Sequence, residues 1–286
     1  MNLQESISQF LLEQKLRGNR ERTLQHYDYS LNYLLKENLT QETNSLNTLL
    51  VNTILNKPVK AASLRTYDTA LRVFCNWLET VELLDKNPFK NRKRPKARFE
   101  FKEVLTVPEL QKLFQAAEKS QNKYRNLCLL AVFLETGLRA SEVIRLKVSD
   151  LDFDTGTLKV DGKTGNSSVP IGTRTLRLIR LYLSRERKGS NLPNVFLSSG
   201  KVLRVDSLNH LIGKLATQAG IERNVGPHLL RHTFATLSLK AGMDTLTLQR
   251  MLRHTSPAMT SRYVHFLTED LQAKSQQFTP LKNIQF

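Results

Sequence analysis

The chain has 286 residues, of which 40% are hydrophobic and 24% charged, a composition typical of a globular protein that folds in water. It has no run of about 18 apolar residues, so no transmembrane helix is expected. The N-terminus lacks the basic start and apolar stretch of a secretory signal, so we expect a cytoplasmic protein. The length favours two domains.

The net charge of +17 indicates a polyanionic partner. Lysine and arginine outnumber the acidic residues on both sides of residue 98, so the charge does not come from one basic tail. Two basic bodies joined by a linker are typical of a protein that binds nucleic acid from two sides. The alternative is a basic protein without such a partner. Cys75 and Cys128, far apart in apolar runs, are expected to be buried free thiols.

Residues 1–87 predict an all-helical domain. Apolar residues recur at helical spacing over residues 3–16, 23–35 and 63–84. In the third segment Ser63 is the expected N-cap, and Asn87-Pro88 is expected to end the helix.

A basic linker is predicted over residues 88–104. Six of the nine residues in KNRKRPKAR, 90–98, are lysine or arginine. A run of this kind between two folded bodies favours a segment that lies on nucleic acid, and the alternative is a solvated charge run.

Residues 105–286 predict an α+β domain. Thr106 and Glu109 have the spacing of a capping box, and an apolar helix over 124–136 is expected to end at Gly137. From 148 to 172 the apolar period shortens, which predicts three short strands with turns at residues 154–156 and 161–166. Helical spacing returns over 173–187, 206–219, 229–241 and 244–252. The predicted fold class is mainly α with a small antiparallel sheet.

The segment VDGKTGNSSVP, 160–170, raises two interpretations of Lys163. A nucleotide-binding loop needs a glycine five residues before Gly162, where the chain has Thr157, and it must lead into a helix. Instead a strand pattern follows at residues 168–171. We therefore interpret Lys163 as the tip of a hairpin.

Three further motifs contain residue types suited to phosphate chemistry, although each is weak alone. TGLRASE places Arg139 just after a helix-ending glycine, where a surface charge is the usual alternative. PHLLRHTFAT places His228 and Arg231 three residues apart in a helix. MLRHTSPAMTSRYVH contains His254 and, nine residues later, Tyr263, which as a tyrosine near a chain end is more often a packing residue.

Together these residues resemble the active-site signature of the tyrosine site-specific recombinases, the phage-integrase family. The fingerprints are TGLRASE, HLLRHTFAT, LRHTS and SRYVH, and the gaps are similar to those of compact Xer-like members. The resemblance is strongest over residues 105–266 and weaker in the first domain, which looks like the family's helical core-binding (SAM-like) domain. The implied architecture is a two-domain, C-shaped DNA clamp. The candidate catalytic residues are Arg139, Lys163, His228, Arg231, His254 and Tyr263.

Physical chemistry agrees with the roles that the resemblance implies. Two arginines, Arg139 and Arg231, can hold both non-bridging oxygens of a phosphodiester and stabilise its pentavalent transition state. Tyr263 is the expected nucleophile, and His228 its base or proton relay. Lys163 is expected to protonate the leaving 5′-oxygen.

Supporting roles are expected around these groups. His254 is expected to donate to a non-bridging oxygen, and Glu142 to orient Arg139 or the hairpin. His232 and His265 flank key residues and are expected to be structural or to support those residues. The family commonly has glycine where this chain has Arg253, which would alter the bend slightly or add a phosphate contact. No metal, ATP or organic cofactor is expected, since the sequence offers no metal-ligand cluster.

DNA contacts are expected at basic residues outside the catalytic set. By position these are Arg65, Arg72, Arg92, Lys93, Arg94, Lys214 and Arg223. The C-terminal segment, 267–286, has a sparse apolar stripe. It is expected to pack on a neighbouring protomer, with a helix folded back on its own domain as the alternative.

The resemblance implies a site-specific DNA recombinase that acts through a 3′-phosphotyrosine and a Holliday junction. The expected partner is double-stranded DNA with an inverted-repeat core site, bound by a homodimer, with a homotetramer in the synapse. Whether a second recombinase or accessory protein takes part is left open. Resolution of replicon dimers or transposon cointegrates ranks above integration. The alternatives are a type IB topoisomerase and a DNA-binding protein without chemistry.

Overall fold

The computed structural model describes residues 1–56, 61–94, 103–162, 165–254, 256–257 and 259–260. The chain divides into two compact units, Met1–Phe101 and Lys102–Phe286, each with its own hydrophobic core. The predicted fold class is confirmed, because helices dominate and the short antiparallel sheets lie in the second unit. Within the described ranges, no helix is long and apolar enough to cross a bilayer.

The first unit is helical, as predicted. Its helices are α1 (Leu3–Leu16), α2 (Glu21–Leu35), α3 (Thr48–Leu55) and α4 (Ala61–Thr80). Phe10 of α1 packs edge-on against Phe74 of α4 and also contacts Trp77, and each such buried aromatic contributes roughly 1.5–3 kcal/mol. The indole of Trp77 donates to Glu13, which ties α4 to α1.

Two predictions for this unit are wrong. Ser63 is not the N-cap, because α4 already includes Ala61. The helix ends at Thr80 rather than near Asn87, because Glu82 adopts a left-handed backbone (φ 58°) that returns the chain so that Leu84 is buried in the core. Helix α3 is absent from the predicted elements. Its first turn is capped by the Asn47 side chain, which accepts from Leu50 N at 3.0 Å.

The second unit contains seven helices among its described residues. They are α5 (Val107–Glu118), α6 (Lys123–Thr136), α7 (Ala140–Arg145), α8 (Thr173–Arg185), α9 (Val205–Gln218), α10 (Pro227–Lys240) and α11 (Thr245–Leu252). The capping box of Thr106 and Glu109 is confirmed. Cys128 is fully buried in α6 and Cys75 in α4, and both are free thiols as expected. Burial raises the pKa of Cys75 to about 12, so this thiol is unreactive.

The sheets agree with the predicted strands and add a hairpin. Strands β1 (Leu151–Asp152), β2 (Thr157–Gly162) and β3 (Gly165–Pro170) form an antiparallel sheet in that order. Gly162 pairs with Gly165, so the strands run further than predicted and only residues 163–164 separate them. The nucleotide-loop alternative is excluded, because β2 leads into a strand and not a helix. The unpredicted hairpin joins β4 (Leu197–Ser198) to β5 (Lys201–Val202).

A close approach at Gly137 holds α6 against α10 and α11. Gly137 ends α6 in the left-handed conformation (φ 60°). A Cβ atom there would lie 2.4 Å from Phe234 Cδ1 and 2.8 Å from Leu252 Cδ2, closer than any real contact. Phe234 and Leu252 belong to a small separate core formed by α10 and α11. The glycine thus meets two demands, one conformational and one steric.

We predict that Gly137→Ala lowers the free energy of unfolding by about 3 kcal/mol, because strain from the positive φ adds to overpacking. Gly220→Ala is the matched control. Gly220 also has a positive φ (70°), but a Cβ there would meet nothing within 4 Å, so the expected loss is about 1 kcal/mol. Urea denaturation followed by circular dichroism measures both. Equal losses would show that the close approach at Gly137 is unimportant.

Candidate active site

Arg231 joins the turn between α6 and α7 to the end of α11. Its side chain is buried on α10, where Nη1 donates to Gly137 O at 2.5 Å and Nη2 donates to Leu252 O at 2.8 Å. Both carbonyls belong to helix C-termini, where backbone acceptors lack helical partners and favour a cation. One guanidinium therefore satisfies two helix ends and fixes the distance between them.

Glu142 organises the other side of this junction. It is buried in the first turn of α7, which Arg139 caps. Its Oε2 accepts from Arg139 N at 2.6 Å, and its Oε1 accepts from Arg139 Nη1 at 3.1 Å. The Arg139 side chain remains 39% exposed. Arg139 is thus oriented by a buried carboxylate and can still reach a ligand.

Arg253 is bound to the same carboxylate. Its Nη2 donates to Glu142 Oε2 at 2.5 Å, and both side chains are almost inaccessible to solvent. The backbone of Arg253 is left-handed (φ 51°), the conformation that glycine adopts most readily at a helix end. The bend expected of glycine is therefore kept, and the side chain points to Glu142 instead of supplying a phosphate contact.

His254 follows directly and is held by short contacts. Its Nδ1 lies 2.8 Å from the hydroxyl of Thr260, and its backbone N donates to Gln249 O at 3.1 Å. His254 is therefore placed next to the junction that Arg231 and Arg253 both stabilise.

His228 lies at the first turn of α10, one helical turn before Arg231. Its Nε2 is 3.0 Å from Nε2 of His232, with the rings edge to face. A hydrogen bond between two imidazole nitrogens needs one donor and one acceptor, so each ring restricts the tautomer of the other. His232 thus contacts a candidate catalytic group directly.

The structure brings Arg139, Arg231 and His254 to one junction, with His228 on the adjoining helix. Lys163 and Tyr263 lie outside the described residues, as do His265 and the segment 267–286. The β2–β3 hairpin that carries Lys163 borders the same region, because a groove runs from Glu142 to it. This groove is lined in part by Arg145, Lys147, Lys159 and Ser167.

Two of the residues expected to contact DNA form ion pairs with carboxylates of the same chain. Arg72 pairs with buried Asp68 at 2.9 Å, donates to two backbone carbonyls and lies over the ring of Phe89. Arg223 pairs with Glu109 at 2.6 Å and with Glu103 at 3.1 Å. We therefore interpret Arg72 as a structural anchor, whereas the assignment of Arg223 as a DNA contact stays a prediction. The Arg72 side chain is 12% exposed beside a buried carboxylate, whereas that of Arg223 remains 29% exposed.

Four of the five other expected contacts lie at the surface. Exposed side chains are those of Arg65, Lys93, Arg94 and Lys214. Arg92 is half-buried and donates to Asn52. In the part of the chain that is described, no group of three or more His, Cys, Asp or Glu side chains is arranged to hold a metal ion.

Comparison with known proteins decides the family. Residues 103–270, more than half of the chain, match the phage integrase family. The chain belongs to this family. It is 30% identical over 225 residues to Tyrosine recombinase XerC of Pediococcus pentosaceus, covering 74% of each protein. Family membership makes it an enzyme that breaks and rejoins DNA.

Solved structures share the fold. The Tn1549 transposon integrase, solved with a circular intermediate DNA, matches 97% of this chain and 100% of its own with a TM-score of 0.80 at 18% identity. The XerH site-specific recombinase, solved on a palindromic difH substrate, matches 94% of this chain and 82% of its own with a TM-score of 0.73 at 22% identity. At such identities the likeness establishes the fold, which is that of a tyrosine recombinase.

We predict that Arg72→Met lowers the free energy of unfolding by about 3 kcal/mol, because Asp68 is left buried without its cation. Lys93→Met is the matched control at an exposed lysine. It should change the unfolding free energy by less than about 0.5 kcal/mol but reduce the salt dependence of DNA binding by about one phosphate contact.

Urea denaturation and fluorescence-anisotropy titrations at several salt concentrations measure the two effects. If Arg72→Met left stability unchanged and lowered the salt dependence instead, Arg72 would be a DNA contact after all.

Proposed function

We propose that the protein is a site-specific DNA recombinase that cleaves and rejoins DNA through a 3′-phosphotyrosine at Tyr263. The observation that carries this proposal is the junction in which Arg231 and Glu142 hold the α6–α7 turn against the end of α11. That junction gathers Arg139, Arg231 and His254. Family membership supports the enzyme class.

The proposed chemistry is an exchange of one phosphate ester for another. Tyr263 attacks the scissile phosphorus, and its proton passes to His228, since a phenol with a pKa near 10 is a weak nucleophile at neutral pH. Arg139 and Arg231 hold the non-bridging oxygens while negative charge accumulates. The leaving 5′-oxygen takes a proton from Lys163. Religation reverses these steps with a different 5′-hydroxyl, so the bond energy is conserved.

His254 has the auxiliary role of donating a hydrogen bond to a non-bridging oxygen. Its Nδ1 contact with Thr260 at 2.8 Å supports this role, because it fixes the orientation of the ring beside the junction. Glu142 positions Arg139.

Duplex DNA is the proposed partner, contacted by basic residues of both units. The net charge of +17 and the exposed side chains in both units support non-specific attraction to the phosphate backbone. The proposed contacts are Arg65, Arg92, Lys93, Arg94, Lys214 and Arg223. Residues 1–87, 88–104 and 105–286 are the proposed core-binding domain, linker and catalytic domain.

The proposed reaction cycle needs several copies of the chain. A dimer binds an inverted-repeat core site, two sites form a tetrameric synapse, and strands exchange pairwise through a Holliday junction. The segment 267–286 packs on a neighbouring protomer in this assembly. Resolution of replicon dimers or cointegrates is the proposed role, supported by similarity to XerC proteins, with integration as the second candidate, supported by the fold of the Tn1549 transposon integrase.

We predict that Tyr263→Phe abolishes covalent protein–DNA adducts on nicked suicide duplexes, with a loss of at least about a thousandfold, and leaves DNA affinity unchanged. Tyr29→Phe, at an exposed tyrosine of the first unit, is the control and should react like the wild type. The duplexes would carry the core site located by footprinting on the DNA flanking the gene.

Three results would contradict the proposal in different ways. An adduct from Tyr263→Phe would show that another residue is the nucleophile. No adduct from the wild type would leave a DNA-binding protein without chemistry. Relaxation of supercoiled plasmid that lacks the core site, without recombination of plasmids that carry it, would indicate a type IB topoisomerase.

A further inference from the structure

Arg253 has a backbone conformation that is unfavourable for residues other than glycine. Arg253 ends α11 with φ 51° and ψ 50°. A side chain in this region brings Cβ close to the backbone carbonyl, so glycine is preferred there. An arginine at this position therefore needs a compensating interaction, and its side chain provides one.

That interaction is a buried ion pair. The side chains of Arg253 and Glu142 are 5% and 3% exposed, and Nη2 lies 2.5 Å from Oε2. Glu142 in turn accepts from both the backbone N and the Nη1 of Arg139. Two cations thus share one carboxylate. Burial lowers the pKa of Arg253, the contact with Glu142 raises it, and the charge of Arg139 lowers it again, so the two guanidinium groups repel each other across that carboxylate.

The shared carboxylate has a consequence for Arg139. If Glu142 had Arg139 as its one cation, the pair would be neutral and Arg139 would be drawn towards the carboxylate. With Arg253 also present, the cluster of three groups carries a net positive charge. Arg253 is buried and Arg139 is 39% exposed, so Arg139 is the member of the cluster whose positive charge can reach a ligand.

We propose that Arg253 is a positioning residue: it neutralises Glu142 so that Arg139 can hold the scissile phosphate. It also fixes the turn that presents His254. This inference rests on the proposed function, because it assigns Arg139 to the phosphate. It does not place Arg253 in contact with DNA.

The neighbouring contacts indicate why the effect reaches both arginines of the site. Leu252 O accepts from Arg231 Nη2 at 2.8 Å, one residue before the ion pair, and His254 follows one residue after it. The end of α11 thus contacts the candidate site at three consecutive residues. Leu252 bonds Arg231, Arg253 bonds the carboxylate that holds Arg139, and His254 is itself a candidate catalytic residue. A substitution of Arg253 changes the conformation of this turn and also removes the cation that compensates the Glu142 carboxylate. The variants must separate these two effects.

The test compares Arg253→Gly, Arg253→Lys, Glu142→Gln and the double variant Arg253→Gly with Glu142→Gln. Single-turnover cleavage of a suicide duplex is measured at saturating protein, and DNA affinity is measured separately by anisotropy. We expect Arg253→Gly to slow cleavage by about tenfold or more while the dissociation constant changes by less than about twofold. Adding Glu142→Gln to this variant should restore much of the lost rate, since the negative charge that draws Arg139 away from the phosphate is then removed.

The control is Arg250→Gln, which removes an exposed charge from the last turn of α11 without touching Glu142. It should cleave at the wild-type rate within about twofold at saturating protein. Arg253→Lys keeps the charge and should be faster than Arg253→Gly. A merely structural role would not produce this order, because glycine is the residue that the backbone prefers.

Cleavage by folded Arg253→Gly at the wild-type rate would overturn the inference and leave the proposed function intact. If Arg253→Gly does not fold, Arg253→Lys and Arg253→Gln decide, since both keep a long side chain. A rate for lysine about tenfold above that for glutamine supports the inference, and equal rates overturn it. A wild-type chain that forms no adduct would overturn the proposed function, and this inference with it.

Discussion

The second unit depends on a buried guanidinium. Arg231 is removed from water on α10, and burying a cation is costly unless acceptors replace its hydration. The carbonyls of Gly137 and Leu252 supply that replacement from two helix ends that are 115 residues apart in the sequence. The same bonds fix the geometry of the turn that carries Arg139 and the turn that carries His254. The contacts that satisfy the buried Arg231 therefore also position the candidate site.

Glu142 adds a second constraint between the same two turns. A buried carboxylate needs cations or several donors, and here it has both, from Arg139 and Arg253. The steric fit of Gly137 against Phe234 and Leu252 leaves little room for the turns to move apart. Hydrogen bonds, charge and packing thus act on one small region, and preorganised positive charge of this kind suits the stabilisation of a phosphate transition state.

Much of the fold could be predicted from local signals. The capping box at Thr106, the helix end at Gly137 and the strands around 157–170 all depend on contacts within a few residues, and their predictions are confirmed. The misses have non-local causes: α4 ends early because Leu84 returns to a core formed by distant helices. Likewise, the charge of Arg72 indicates DNA, but its carboxylate partner Asp68 and its nearly buried position are known only from the fold. The sequence shows that Arg253 replaces the family's usual glycine, but its partner Glu142 lies 111 residues away and is known only from the fold.

The most direct test of the account is a crystal structure of Tyr263→Phe bound to its core site. The account predicts that the guanidinium groups of Arg139 and Arg231 lie within hydrogen-bond distance of one scissile phosphate, with the phenyl ring of residue 263 beside it. Arg231 should still donate to the carbonyls of Gly137 and Leu252, and Glu142 should still hold Arg253. A phosphate bound elsewhere, with Arg139 and Arg231 both directed away from the DNA, would contradict it.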